Sequence, residues 1–182
     1  AVLSTAAFLA IEARAAEPIL PLGVFRNRNF SVVTAMSFLL GLALFGALTF
    51  LPLYQQTVQH LSPTTSGLML IPMMLGSTVT ALISGQVTTK TGRYKVFPVV
   101  GTATMAVGFV LLSQMGAATP LWQQSVSLFV LGAGIGLCMQ VLILVVQNTS
   151  SFSDLGVATS GVTFFRTIGS SFGAAIFGSL FA

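Results

Sequence analysis

Few side chains in these 182 residues could do chemistry: seven Lys or Arg, three Asp or Glu, one His and one Cys. Glu12, Glu17 and Asp154 fall in short polar connectors, Cys138 sits alone in an apolar run, and His60 stands among hydroxyls and amides with no neighbouring carboxylate or second His. They assemble no Ser-His-Asp or Cys-His constellation, no metal-ligand spacing and no P-loop, so the chain reads as non-enzymatic, with no metal or cofactor. One cysteine excludes a disulfide framework, and His60 reads as solvated. Buried polarity is what remains for function: Arg166 inside one long apolar run, and the amides of Gln140 and Gln147 inside another.

Hydrophobic residues make up 54% of the chain and charged ones 5%, with a mean hydropathy of +0.96. Soluble domains carry charge on roughly a quarter of their residues. The chain is therefore expected to be an all-α integral membrane protein. Its net charge of +4 and pI near 10.0 rest on a handful of residues gathered into connectors. A nucleic-acid footprint gathers them on a water-facing surface, so no nucleic acid is expected as partner.

No charge occurs between Arg28 and Lys90 or between Lys95 and Asp154. Polar, Pro-bearing breaks at 55–66 and 116–120 divide these stretches, giving spans at about 31–54, 67–88, 96–115 and 121–146, with a fifth at about 156–182. Each is long enough at ~1.5 Å per residue to cross ~30 Å of hydrocarbon, and runs without period-2 alternation mean helices rather than barrel strands. Residues 1–11 are half a span and read as the end of a truncated helix, because no basic region precedes them as a secretory signal requires. Residues 12–30 form a connector with Arg14, Arg26 and Arg28, and 31–182 a transmembrane bundle. That connector and the one holding Lys90, Arg93 and Lys95 lie two spans apart on one face, the cytoplasmic one by their cations, while 55–66 and 116–120 carry no Lys or Arg. The surrounding bilayer is expected to be the cell membrane.

At 100° per residue, Thr34, Ser37, Gly41, Phe45, Thr49 and Pro52 share a face of the first span, and Ser125, Phe129, Gly132, Gly136, Gln140 and Gln147 an arc of the fourth. Two roles are open for the second arc. Gly132 and Gly136 let helices approach and Gln140 bonds across them, or Gln140 lines a cavity. Phe45, Met73, Met139 and Phe165 are candidates for adaptable apolar cavity surface, although core or lipid contact is the commoner fate of such residues. Arg166 has two roles open as well. It is a functional charge within the membrane, or it lies near the cytoplasmic end and reaches headgroups or Asp154. Gly169 and Gly173 give the spacing of a close helix contact.

The connector Gly85-Gln-Val-Thr-Thr-Lys90-Thr-Gly92-Arg93-Tyr-Lys95 resembles the Gly-x-x-x-Asp-Arg-x-Gly-Arg loop of the major facilitator superfamily. The stretches from Glu17 to Phe30, from Leu51 to Gln55 and from Leu155 to Gly173 look like its fourteen-helix drug:proton antiporters. The resemblance implies a partial major-facilitator-type bundle: the end of the eighth helix followed by the ninth to thirteenth, without the N-terminal half. In the family the loop latches helices on the inner face. Gly85, Lys90, Gly92 and Arg93 match it, while Thr89 stands where the Asp would be.

The function so implied is part of a secondary transporter that exports drug-like or toxic amphipathic compounds in exchange for protons, by alternating access. No span contains Asp or Glu, so proton coupling would need the missing half. An uptake carrier or uniporter for a polar metabolite shares the fold, and a membrane assembly or regulatory protein without transport is an alternative of another class.

Overall fold

The computed structural model describes residues 28–149 and 155–181, apart from 93 and 117. Among them are five long helices and one short one, and no strand. The expectations for 1–11, for most of the 12–30 connector, for Arg93 and for Asp154 lie outside the described residues.

Helix α1 covers Arg28–Thr57 and continues through Pro52, whose missing N–H leaves the Leu48 carbonyl without its usual donor. Beyond Thr57 the chain turns on His60, the one described non-glycine residue in the left-handed region (φ 53°), and Leu61 N–H donates back to the Gln55 carbonyl. Ser62 caps α2 (Pro63–Leu68), its hydroxyl accepting from Thr65 N–H at 3.2 Å. Met69 and Leu70 separate α2 from α3 (Ile71–Thr91), and the cause is Pro72, which removes the donor for the Leu68 carbonyl and crowds it. Gly92 ends α3 at φ 67°, a conformation that glycine adopts without strain. Then follow α4 (Val96–Ser113), α5 (Leu121–Thr149) and α6 (Leu155–Phe181).

Among the described residues, four segments are long and apolar enough to cross a membrane: Phe30–Thr57, Pro63–Thr91, Val96–Ser113 and Leu121–Asn148. The fifth expected span, about 156–182, coincides with helix α6, whose 27 residues reach ~40 Å at ~1.5 Å each. It falls outside the apolar set because Arg166 interrupts it and Ser, Thr and Gly fill much of the rest.

The buried centre belongs to α5, where Leu128, Leu131, Cys138 and Val141 are fully enclosed. It packs against α3 and α4 and more lightly on α1, which in turn holds α6. Glycines set these crossings. Gly132 and Gly136 press on the Met73 and Ser77 carbonyls of α3, Gly169 and Gly173 on the Phe38 and Leu42 carbonyls of α1, and Gly101 and Gly108 of α4 on α5. Lipid tails are as apolar as the helices, so close backbone approach replaces the hydrophobic effect as the source of attraction. Outward residues such as Leu39, Leu82, Val99 and Val107 are large, apolar and exposed.

Candidate functional site

Below the crossing of α3 and α5 the two helices enclose a groove of about 590 Å³, within the size range of small-molecule sites. Ser77, Thr78, Gln86 and Thr89 contribute polarity from α3, and Gln140 from α5; Ala81, Leu82, Met139, Ile143 and Leu144 contribute apolar wall. The groove exists because of two residues without side chains. Gly136 seats α5 against Ser77, and Gly85 faces Gln140, where a Cβ would stand 3.3 Å from its Cγ.

The Gln140 side chain is exposed in this groove and makes no hydrogen bond to any described residue. Thr89 differs, since its hydroxyl donates to the Gly85 and Gln86 carbonyls at 3.0 and 2.9 Å. An amide offers two donors and one acceptor. Gln140 thus presents neutral hydrogen-bonding capacity beside a polarizable thioether and branched aliphatic walls. None of the described residues that line the groove is charged.

The remaining sequence candidates scatter. Met139 lines the groove with Gln140, Gly85 and Gly136. Met73 is buried at the α3–α5 crossing, where its backbone meets Gly132, instead of facing a cavity. Phe45 is exposed on α1, away from the groove. Phe165 lies with Ser31, Thr34 and Phe38 around a separate cavity of about 460 Å³ between α1 and α6. Lys90 and Lys95 are exposed on either side of Gly92, and Gly169 and Gly173 sit in the α1–α6 contact.

Arg166 lies eleven residues into α6, ~17 Å along the axis, farther than its three-methylene stem can span to the start of the helix. Arg166 therefore stands near the middle of α6. Its backbone carbonyl abuts Gly41 and accepts the Ser170 hydroxyl at 3.0 Å. None of the described residues is acidic.

Sequence reading missed a cluster at the other end of the bundle. Gln55 Nε2 donates to Gln124 Oε1 at 2.9 Å, Gln124 Nε2 donates to Gln59 Oε1 and to the Thr119 carbonyl at 2.9 Å each, and Gln59 Nε2 donates to the Gly116 carbonyl at 3.0 Å. Gln55 and Gln124 are fully buried. The readable signal is the cluster of amides Gln55, Gln56 and Gln59 at the end of α1 and in the turn that follows it.

A bundle of apolar helices crossing on glycines, four of its segments long and apolar enough to cross a membrane among the described residues, defines a multi-pass membrane protein. The chain belongs to the Major Facilitator Superfamily, whose family model matches residues 4–174. It is 56% identical over 174 residues to an uncharacterized MFS-type transporter of Mycobacterium tuberculosis, covering 96% of this chain and 25% of that protein. It is 36% identical to the multidrug transporter protein MdtP of Bacillus subtilis, covering 99% of this chain and 33% of the relative. To a tetracycline resistance determinant of Streptomyces rimosus it is 38% identical, covering 97% of this chain and 52% of the relative. The chain thus spans between a quarter and about half of these relatives' lengths. Two are named as transporters and one as a resistance determinant.

Proposed function

We propose that this chain forms the C-terminal half of a cell-membrane transporter that exports drug-like or toxic amphipathic compounds in exchange for protons, by alternating access. The observation that carries the reading is the α3–α5 groove, with its uncharged, partly apolar lining and unengaged Gln140 amide. Such a surface suits molecules with a large apolar body and one or two hydrogen-bonding groups, and Met139 lets it adapt to more than one shape. Phe45 and Phe165 would extend the wall toward the N-terminal half. The relatives' names, multidrug transporter and tetracycline resistance determinant, agree with that chemistry.

Protons would be carried by carboxylates of the N-terminal half, since Glu12, Glu17 and Asp154 lie outside the expected spans. Arg166, near mid-helix with no acid among the described residues, would meet one of those carboxylates as the halves rock. The Lys90–Lys95 connector would meet lipid headgroups at the inner face. Export of a lipophilic cationic dye from cells making the whole protein tests this. Efflux should stop when a protonophore collapses the proton gradient. Efflux indifferent to the protonophore would point to a uniporter, and absent transport by a well-inserted protein to an assembly role.

A further inference from the structure

One row of α3 forms the floor of the α3–α5 groove. Ser77, Ala81, Gly85 and Thr89 recur every four residues and all line it, so they stand one above another on a single helix face. Ala81 and Gly85 keep the middle of the row low and apolar. Ser77 and Thr89 close it with a hydroxyl at each end, ~18 Å apart at ~1.5 Å per residue.

Both hydroxyls have a fixed role. Ser77 Oγ donates to the Met74 carbonyl at 2.9 Å, and Thr89 Oγ1 shares its proton between the Gly85 and Gln86 carbonyls at 3.0 and 2.9 Å. Each proton is thus spent on the residue's own helix, and what each oxygen has left is lone pairs. These bonds are exposed, so the lone pairs remain accessible from the groove. Thr80 is the contrast: its hydroxyl reaches across to the Ala133 carbonyl of α5 and lies outside the groove lining. Thr78, Gln86 and Gln140 also line the groove, but a hydroxyl rotor or an amide can turn to donate or to accept. The fixed polarity of the groove is therefore that of an acceptor at each end, and it comes from neutral oxygens rather than carboxylates.

We infer that the groove takes elongated amphipathic molecules carrying a hydroxyl or N–H donor toward each end, and that it ranks them by those donors. The apolar middle of such a molecule lies on the Ala81–Gly85 floor between Leu82, Ile143 and Leu144, and its two donors meet Ser77 and Thr89. A molecule of the same shape with an ether or a quaternary ammonium at those positions offers these oxygens nothing. It displaces their water without replacing the hydrogen bond, which is where a polar site discriminates most strongly. The inference rests on the reading of this groove as the substrate surface and adds the class of substrate.

Equilibrium binding to the purified whole protein in detergent, with no proton gradient, tests it. The ligands are a stilbene with a para hydroxyl on each ring and its dimethyl ether, which keeps the shape and both oxygens and loses both donors. Comparing the ratio of their affinities in the parent with that in a Ser77→Ala, Thr89→Val double variant cancels the ether's greater partition into detergent. Both hydroxyls bond only within α3, so the variant should stay folded. At about fivefold for each neutral hydrogen bond, the parent's preference for the diol should exceed the double variant's by about 25-fold, and each single variant should remove about fivefold of it. An equal preference in parent and variants, or no binding of the diol, would overturn the inference. Selective binding by a protein that exports no dye from cells would sink the export reading and leave the inference standing. Dye export by a protein whose preference the variants leave unchanged would sink the inference alone.

Discussion

The two ends of α5 use the same side chain in opposite ways. Near Leu121, Gln124 is fully buried and ties α1 to the turn between α4 and α5 through Gln55, Gln59 and the Thr119 carbonyl. Sixteen residues on, Gln140 has no hydrogen-bond partner among the described residues and opens onto about 590 Å³ of groove. An amide at membrane depth is costly unless satisfied. At one end protein groups satisfy it, and at the other the group that would do so has to come from outside the bundle. The first arrangement closes helices together, whereas the second leaves hydrogen-bonding capacity for something that enters and leaves.

The crossing between these ends should give the largest effect. A side chain at Gly132 would overlap the Met73 carbonyl, which is backbone and cannot swing aside. Gly132→Leu in the whole protein should cost about 3 kcal/mol, the upper part of the range for overpacking, and thermal unfolding in detergent should show it. Gly156→Leu, where a Cβ meets nothing within 4 Å, should leave the midpoint unchanged. A stable Gly132→Leu protein would mean that the ends are not held apart by this contact.

Next in size is the closed end. Gln124→Leu leaves Gln55 Nε2 and Gln59 Oε1 unpaired in addition to Gln55 Oε1, which already lacks a partner among the described residues. The loss should be about 1–2 kcal/mol, read again as a lowered unfolding midpoint. Gln140→Leu sharpens the contrast from the other side. Its stability should stay within about 0.5 kcal/mol of the parent. Dye export should fall about fivefold, the equivalent of one neutral hydrogen bond of about 1 kcal/mol. If Gln140→Leu unfolds early and exports normally, the two ends have the same role and the groove is not a binding surface.

Much of the fold was legible in the sequence because apolar run length, Pro and charge act locally. The break at Pro120 and the helix stop at Gly92 follow from single residues. Partner choice is not local. Phe45 and Met73 carry the same adaptable surface in a sequence, yet one is exposed on α1 and the other is fixed in a crossing because Gly132 lies opposite. Gln55 and Gln59 look like surface residues until Gln124, far along the chain, is placed beside them. Gln140 was legible as a pair of alternatives, and only the position of Gly85 across from it opens the groove at its side chain.

The smallest effect separates glue from groove within a single helix. Thr80 lies on α3 only three residues after Ser77, which lines the groove, but its hydroxyl donates to the Ala133 carbonyl on α5 at 2.8 Å and to the Gly76 carbonyl of its own helix at 2.8 Å. Thr80→Val keeps the shape and removes the donor. Interhelical hydrogen bonds in membranes average about 0.6 kcal/mol, and a small fall in unfolding midpoint with unchanged export is the expected result. A loss of export without a loss of stability would put Thr80 on the side of Gln140 and carry the binding surface up into the crossing itself.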